Sequence, residues 1–274
     1  MAAEKEHDVA QNYLGFLFEY GVGIEKNLQQ AIYWYNKSAN NGNEEAQFIL
    51  GEYYLKGYDG FEKDEIKAFE YYKKSSDQGY LDAQIQLACC YDKGLGTEIN
   101  KTKAFELYKI AAVKGNSFAQ NNLGTLFKCG EGIGTEISKT KAFKIFRIAA
   151  DNGHKVAQAN LGEYYELGIG VDKNEIKAFE YFKKSAESGF VEAKFILGYY
   201  YINGIGTEIN REKGFELYNE AAASQGFIDA FYKLGHFYCN GILVDFDREK
   251  AFLLYKIAAE RGNVDAQKCL ASLY

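Results

Sequence analysis

The 274-residue chain is 47% hydrophobic and 16% aromatic, which is ample for a large core. Its net charge is −6, and its lysines and arginines are scattered among acids, so the basic patch typical of nucleic-acid or anionic-membrane binding is missing. No apolar run approaches the roughly 18 residues of a membrane span, and the first residues lack the apolar core of a secretory signal. We therefore expect a cytoplasmic protein with no nucleic-acid partner and no membrane span.

The sequence repeats itself at a nearly constant interval. Eight alanines that start successive copies are separated by 36, 37, 36, 38, 36, 37 and 36 residues. They are Ala10, Ala46, Ala83, Ala119, Ala157, Ala193, Ala230 and Ala266. A period of this size predicts stacked helical pairs. We expect one all-α domain, residues 10–274, with seven full repeats and a C-terminal half-repeat, after a lead of residues 1–9.

Each copy opens with the spacing of a first helix. Leu follows the starting alanine by four residues and Tyr or Phe by eight, so these residues share one helix face. Gly or Ala comes directly after the leucine, where it would let a neighbouring backbone approach. A glycine in the left-handed conformation then closes the helix. The predicted closing glycines are Gly21, Gly57, Gly94, Gly130, Gly168, Gly204 and Gly241.

A second helix follows in each copy, with the pattern Ala-Phe-x-x-Tyr-x-x-Ala-Ala. In the third copy these are Ala104-Phe105, Tyr108 and Ala111-Ala112. The aromatic residues are predicted to pack as knobs into notches left by the alanines. Another glycine ends this helix, at Gly42, Gly79, Gly115, Gly153, Gly189 and Gly262, and one residue late, at Gly226, in the sixth copy.

Three copies depart from the pattern. The turns of the second and fourth copies carry one and two extra residues and end at Gly60 and Gly134, so we expect them to protrude. In the sixth copy Gly214 replaces an alanine of the second helix, which predicts a soft point and a bend before the seventh copy. The chain stops at Tyr274 with apolar residues where a polar end face is expected, which favours a segment of a longer chain.

No catalytic or metal-binding pattern stands out. The five cysteines fall at five different positions within their repeats, so free thiols are expected. Ser138-Lys-Thr-Lys141 fits the S-x-x-K pattern of acyl-transferring enzymes, but it aligns with Asn100 and Asn210, which indicates a helix N-cap instead. The three histidines are isolated in the sequence. We therefore expect no catalytic residue, metal or cofactor.

The copies share a set of positions, seen in the fifth copy as Leu161-Gly162, Tyr164-Tyr165, Gly168-Ile-Gly170, Lys177-Ala178 and Ser185-Ala186. With these positions the chain resembles Sel1-like repeat proteins, which are relatives of the tetratricopeptide repeat, over residues 10–274. The resemblance implies a right-handed α-solenoid superhelix of antiparallel helix pairs and a non-enzymatic adaptor or scaffold, for example in signalling. The chain departs from the family in lacking the proline that usually follows the Gly-x-Gly turn.

The resemblance also implies which residues bind a partner. In a tetratricopeptide-like superhelix the first helices line the concave surface, here at offsets −1, +2, +3, +6, +9 and +10 from the starting alanine. In the middle copies these offsets hold Asn121, Asn122, Thr125, Lys128, Asn160, Glu163 and Glu166. In the flanking copies they hold Phe48, Ile49, Glu52, Ile85, Gln86, Asp92, Phe195, Ile196, Tyr199, Asn203, Tyr232, Lys233 and His236.

Two features of this surface suggest what it binds. Asn122 and Asn160 share offset +3 in successive copies, where a carboxamide either holds a partner's backbone or ties helix to helix. Between offsets −1 and +10, acids outnumber lysines nine to five. We expect a mildly acidic groove and a protein or peptide partner with apolar anchors and net positive charge.

Two other functions stay open. One is a secreted hydrolase resembling the cysteine-rich Sel1-like proteins to which β-lactamase activity has been attributed, although their paired cysteines are missing here. The other is a regulatory segment of a larger protein such as a kinase, which the unfinished C-terminal end allows. The sequence makes no prediction of the oligomeric state.

Overall fold

The computed structural model describes residues 7–58, 61–132, 137–224 and 227–273. These residues form fifteen α-helices and no β strand. The chain divides into two compact units: unit 1, residues 1–138, holds α1 to α7, and unit 2, residues 139–274, holds α8 to α15. None of the helices in these ranges combines the length and hydropathy needed to cross a bilayer.

The helix bounds follow the repeat period. In unit 1 they are α1 (Asp8–Tyr20), α2 (Leu28–Asn40), α3 (Glu44–Lys56), α4 (Glu65–Asp77), α5 (Leu81–Lys93), α6 (Lys101–Val113) and α7 (Ser117–Cys129). In unit 2 they are α8 (Lys139–Asp151), α9 (Lys155–Leu167), α10 (Glu175–Glu187), α11 (Val191–Asn203), α12 (Arg211–Ala223), α13 (Ile228–Asn240), α14 (Arg248–Glu260) and α15 (Val264–Leu273). Within each unit, every helix packs against the next one along the chain.

The first helix of each pair ends at the predicted glycine. All seven of these glycines are left-handed, with φ from 60° at Gly241 to 75° at Gly94. The N–H of Gly21, for example, donates to Leu17 O at 2.9 Å and so pairs a carbonyl in the last turn of α1. Glycine adopts this conformation without a Cβ penalty, so the seven predicted helix ends are confirmed.

A ring of the second helix covers the glycine in the middle of the first helix. A Cβ built on Gly15 would lie 2.7 Å from the ring of Tyr35, which is 1% exposed. The same pairing recurs at Gly51 with Tyr72, Gly162 with Phe182, Gly198 with Tyr218 and Gly235 with Tyr255. The sequence predicts a close backbone approach at these glycines. The nearest atoms are instead those of an aromatic ring, except that at Gly198 the Gly214 carbonyl oxygen also lies 3.1 Å from the added Cβ. Burial of these rings contributes apolar stabilisation to the five pairs.

Helix α12 of the sixth copy is continuous through Gly214 and runs from Arg211 to Ala223. A Cβ on Gly214 would lie 2.5 Å from Ile202 Cγ1 and 2.7 Å from Gly198 O, so this glycine lets α11 and α12 approach closely. Gly214 therefore has a packing role, and the soft point and the bend before the seventh copy stay predictions. The predictions at Gly60, Gly134, Gly226 and Tyr274 fall outside the described residues.

Buried polar side chains join the helices, which the sequence patterns did not reveal. Ser38 donates to Asp8 O at 2.7 Å, which links the two helices of the first repeat. Gln47 Nε2 donates to Ala39 O at 3.1 Å, which links the second repeat to the first. Since buried polar groups are costly when unpaired, these bonds fix both the pair and the stack.

Candidate protein-binding groove

A groove of about 300 Å³ lies in unit 1 between the first helices of repeats one and two. We call it the α1/α3 groove. Its walls are Phe16, Glu19, Tyr20, Tyr35, Glu45, Ile49, Glu52, Tyr53, Lys56 and Tyr58. Seven of these ten residues occupy offsets that the resemblance assigned to the concave surface, including Ile49 and Glu52.

One wall of the groove continues into a row of exposed rings on α1. Tyr13, Phe16 and Tyr20 are 60%, 42% and 61% exposed. Their neighbouring ring centroids are 6.1 Å and 4.7 Å apart, so the rings form one continuous surface. Exposed contiguous aromatic surface is characteristic of sites that contact another molecule.

Two glutamates from successive repeats are oriented by buried tyrosines. Tyr35 Oη donates to Glu19 Oε2 at 2.7 Å, and Tyr72 Oη donates to Glu52 Oε1 at 2.6 Å. Glu52 also pairs with Lys56 one turn along α3. Burial, and next the bond to the carboxylate, raise the pKa of Tyr35 and of Tyr72 far above the usual range. Both hydroxyls therefore remain donors and hold their carboxylates in place.

A third acid and a buried hydroxyl complete the groove. Asn12 Nδ2 donates to Glu45 Oε2 at 2.7 Å, so this carboxylate is also held. Tyr53 is 5% exposed, and its hydroxyl is buried without a hydrogen bond of good geometry to any described residue. Burial, and next the nearby Glu19 carboxylate, raise the pKa of Tyr53 well above its usual range. The described walls of the groove thus combine three carboxylates, one ammonium group and a buried tyrosine hydroxyl close to Glu19.

The other predicted residues of α3 and α5 lie outside this groove. Phe48 is half-buried, with its ring 5.9 Å from Tyr72 and 5.4 Å from Tyr80. Ile85 is buried and Gln86 is half-buried. These side chains contribute to packing more than to an open surface.

The predicted residues at the α5 and α7 ends are more polar. Asp92 accepts from Lys101 Nζ at 2.8 Å, and the same ammonium group lies 2.8 Å from Glu131. On α7, Asn121 is buried at 7% exposure and its carbonyl accepts from the exposed Thr125 hydroxyl at 3.2 Å. Asn122 and Lys128 are half-buried on the same helix.

In unit 2 the predicted residues form separate groups. Asn160, Glu163 and Glu166 are half-buried on α9. The expectation that Asn160 and Asn122 hold a partner's backbone or tie helix to helix stays a prediction. On α11, Tyr199 is 45% exposed and its carbonyl accepts from the exposed Asn203 at 2.7 Å.

The remaining predicted residues of α11 and α13 are largely packed. Ile196 is half-buried, and the Phe195 ring lies 5.2 Å from Tyr218 and 5.1 Å from Phe227. On α13, Lys233 Nζ lies 5.4 Å from the ring centroid of Tyr232. The ring centroids of Tyr232 and His236 are 4.8 Å apart. Burial, and next the Lys233 charge, lower the pKa of His236.

The residues considered for chemistry have structural roles. Asn100 and Asn210 cap α6 and α12, with Oδ1 accepting from Lys103 N at 3.0 Å and from Lys213 N at 2.9 Å. Ser138 directly precedes α8. The five cysteines, all within described ranges, are free. In the same ranges no three His, Cys, Asp or Glu side chains come together as a metal-binding group.

A larger cavity of about 690 Å³ lies in unit 2 between the ends of helices. It contains none of the predicted groove residues. Its charges balance, with Lys155 and Arg261 against Glu192 and Asp229, so it shows no preference for a charged ligand.

A family model described as Sel1 repeat matches most of the chain. The matched residues are 8–43, 44–80, 81–116, 117–154, 155–190, 191–225 and 228–263. Among curated proteins, the chain is 48% identical over 46 residues to a sel1-like repeat-containing protein of Acanthamoeba polyphaga mimivirus, which is 17% of this chain and 9% of that protein. It is 46% identical over 48 residues to protein sel-1 homolog 2 of Homo sapiens, which is 18% of this chain and 7% of that protein. The matches thus span less than a tenth of either relative.

Two solved structures resemble the whole chain. A Sel1 repeat protein from Oxalobacter formigenes superposes with a TM-score of 0.80 at 28% identity, covering 100% of this chain and 78% of that chain. A protective antigen of uropathogenic Escherichia coli strains, described as displaying an SLR fold, superposes with a TM-score of 0.78 at 32% identity, covering 100% of this chain and 58% of that chain.

Proposed function

The chain belongs to the Sel1 repeat family, and from that premise we propose that it is an interaction scaffold that binds a segment of another protein against the exposed faces of its first helices. The all-α solenoid fold expected from the repeats is confirmed by the helical pairs and by the similar solved structures. The α1/α3 groove is the observation that carries the proposal. It places exposed rings beside oriented carboxylates at offsets that recur along the chain.

The groove suits a polypeptide better than a small metabolite. It is small and leads onto the open row of rings formed by Tyr13, Phe16 and Tyr20, so it can follow an extended segment beyond its own walls. Tyrosine is enriched at the residues that dominate protein interfaces, because one ring supplies large contact area and a polar end. The excess of carboxylates favours a partner with net positive charge.

A non-catalytic role is part of the proposal. The polar groups of the described walls of the α1/α3 groove are three carboxylates held by tyrosine and asparagine donors, the Lys56 ammonium group and tyrosine hydroxyls. Serine, cysteine and histidine do not occur among these described walls. The hydrolase alternative is weakened because the cysteines, which its relatives pair, are free thiols in this structure.

The test is a selection of random dodecapeptides on the immobilised chain, followed by fluorescence polarisation with an enriched peptide. Replacing both Phe16 and Tyr20 with Ala should weaken binding at least about tenfold, since both rings are exposed and would be covered by the partner. Tyr33→Ala is the matched control, because Tyr33 is a 54% exposed ring on α2 outside the groove. Failure to enrich any peptide, or equal binding by both variants, would contradict the proposal.

A further inference from the structure

Two cysteines of unit 2 have no part in the proposed binding groove. Cys239 lies on α13 and Cys269 lies on α15, and both are half-buried free thiols. We propose that these two thiols are a redox modification site, at which a low-molecular-weight disulfide oxidises them to an intramolecular disulfide that joins α13 to α15. The inference goes beyond the proposed function, because the reaction needs no partner protein.

Both cysteines pack around one buried tyrosine. Tyr255 of α14 is 1% exposed, and Cys239 and Cys269 are packed against the core cluster that contains it. The Tyr255 hydroxyl also forms a hydrogen bond with each thiol. Two thiols that reach one oxygen atom from different helices need only a small further approach to form a bond, and proximity of this kind is what a disulfide requires.

The repeat architecture explains why these two positions lie opposite each other. Cys239 has offset +9 in the seventh copy, and Cys269 has offset +3 in the half-repeat that follows. In unit 1 the same offsets of the first two copies hold Glu19 and Ile49, which are walls of one groove. Among the seven junctions between copies, the last is the only one with a cysteine at both offsets. The scattered cysteines therefore include one pair that the fold brings together.

The other three cysteines differ from this pair in exposure. Cys89 and Cys90 are adjacent on α5 and are 7% and 1% exposed, so a small oxidant reaches them poorly. Cys129 is exposed at the end of α7 and can react as a single thiol. The pair in unit 2 combines partial exposure with a second thiol nearby.

The oxidation consists of two thiol–disulfide exchanges. The thiolate of one cysteine attacks the small disulfide, which forms a mixed disulfide and releases one small thiolate. The thiolate of the second cysteine attacks the protein sulfur of the mixed disulfide, forms the bond between Cys239 and Cys269, and releases the second small thiolate. The chain gives up two electrons and two protons, and the small disulfide is reduced to two thiols.

The experiment uses the full chain with Cys129→Ser, which removes the exposed thiol that would join two molecules. The probe is oxidised glutathione. Because burial raises the pKa of Cys269 and the thiolate is the attacking form, the reaction is run at about pH 8.5. We expect mass spectrometry after trypsin digestion to find Cys239 linked to Cys269, with the loss of two hydrogen masses and reversal by dithiothreitol. The link should also raise the thermal unfolding midpoint by a few degrees, because it restricts the unfolded chain.

Variants of the two cysteines provide the controls. Cys239→Ser and Cys269→Ser should each abolish the link and leave a single glutathione adduct on the remaining cysteine of the pair. The matched control combines Cys269→Ser with Ser272→Cys, which moves the thiol three residues along α15 to an exposed position and should also abolish the link. Circular dichroism checks that the variants fold, and Cys239→Ala or Cys269→Ala replaces a serine variant that does not.

Three results would overturn the site. The first is glutathione adducts on both cysteines without a link, and the second is no reaction at either cysteine of the folded chain. The third is a link that forms equally well in the Ser272→Cys control or that forms only in urea. Contacts of the unfolded chain, and not the juxtaposition of α13 and α15, would then account for the cross-link.

Discussion

Repeats one and two in unit 1 and repeats five and six in unit 2 share one framework and differ in their polar groups. Gly15 lies under Tyr35 in the first region and Gly162 lies under Phe182 in the second, with ring atoms 2.7 Å and 2.8 Å from an added Cβ. The aromatic ring therefore packs on the glycine in the same way in both regions, and the two rings differ only in the hydroxyl group of Tyr35. Each region also places a glutamate at offset +9, Glu19 or Glu166.

The difference lies in what surrounds that glutamate. Glu19 accepts from the hydroxyl of Tyr35, whereas Phe182 has no hydroxyl to offer Glu166. Tyr200 of the next repeat is the equivalent of Tyr53, and its hydroxyl is likewise buried without a well-formed hydrogen bond. Burial, and next Glu166, raise the pKa of Tyr200 well above its usual range. The family framework thus fixes the ring packing and leaves the polar surface free to vary.

The largest expected effect concerns the turn after the first helix, which packs on a preceding repeat in one region and not in the other. Gly23 and Gly206 are the second glycines of equivalent turns, with φ of 72° and 64°. An added Cβ would meet nothing within 4 Å at Gly23 but would lie 2.2 Å from Glu175 O at Gly206, because this turn packs on the preceding repeat. Both alanine variants carry the left-handed penalty of about 1 kcal/mol, but only Gly206→Ala adds a backbone clash.

We expect Gly206→Ala to lower the free energy of unfolding by about 3 kcal/mol or more and Gly23→Ala by about 1 kcal/mol. Urea denaturation followed by circular dichroism would measure both. Similar losses would show that the turn glycine is needed for its backbone angle alone and that stacking of the sixth repeat on the fifth does not depend on it.

The next prediction exchanges the one hydroxyl that distinguishes the two regions. Tyr35→Phe should lower the free energy of unfolding by about 1 to 2 kcal/mol, because Glu19 loses a donor in a half-buried setting. Phe182→Tyr should be neutral or stabilising by up to about 1 kcal/mol, since the new hydroxyl can donate to Glu166. Denaturation of the two variants beside the wild type provides the measurement. A loss of equal size in both would indicate that ring packing, and not the hydroxyl, sets the difference.

Much of the framework is predictable because it depends on local spacing. The closing glycines, for example Gly168 and Gly204, follow from helix length and backbone angle within a single repeat. Ile49 and Glu52 of the α1/α3 groove were predicted from offsets +3 and +6. The predicted residues did not include Phe16 and Tyr20 of the first copy, although these occupy the assigned offsets +6 and +10.

The burial of individual offsets and the pairing of residues across copies could not be predicted, because both depend on contacts between repeats. At offset +2, Asn12, Ile85 and Asn121 are 8%, 7% and 7% exposed, so in these copies that position packs against neighbours and does not face an open groove. The relation between Tyr53 and Glu19 likewise joins two copies at different offsets, +7 and +9. A single-copy pattern contains no information on which residues of the next copy lie opposite.

The smallest expected effect concerns how the first helix of each region is capped. His154 Nδ1 accepts from Ala157 N at 3.2 Å at the start of α9, whereas Asn43 Oδ1 accepts from Ala46 N at 2.8 Å at the start of α3. Burial, and next the Lys155 charge, lower the pKa of His154 below its usual value of 6.5. A lowered pKa in the folded state means that the full stability contribution of His154 is present above about pH 6.5 and is lost as the pH falls.

His154→Asn should therefore keep the cap and remove this part of the pH dependence. We expect the variant to match the wild type at about pH 7.5 and to exceed it at about pH 5.5 by a few tenths of a kcal/mol to about 1 kcal/mol. Thermal unfolding at both pH values measures the difference, and Asn43→His provides the reciprocal change in the other region. If His154→Asn shifted stability equally at both pH values, the imidazole would be acting through its shape and not through its protonation.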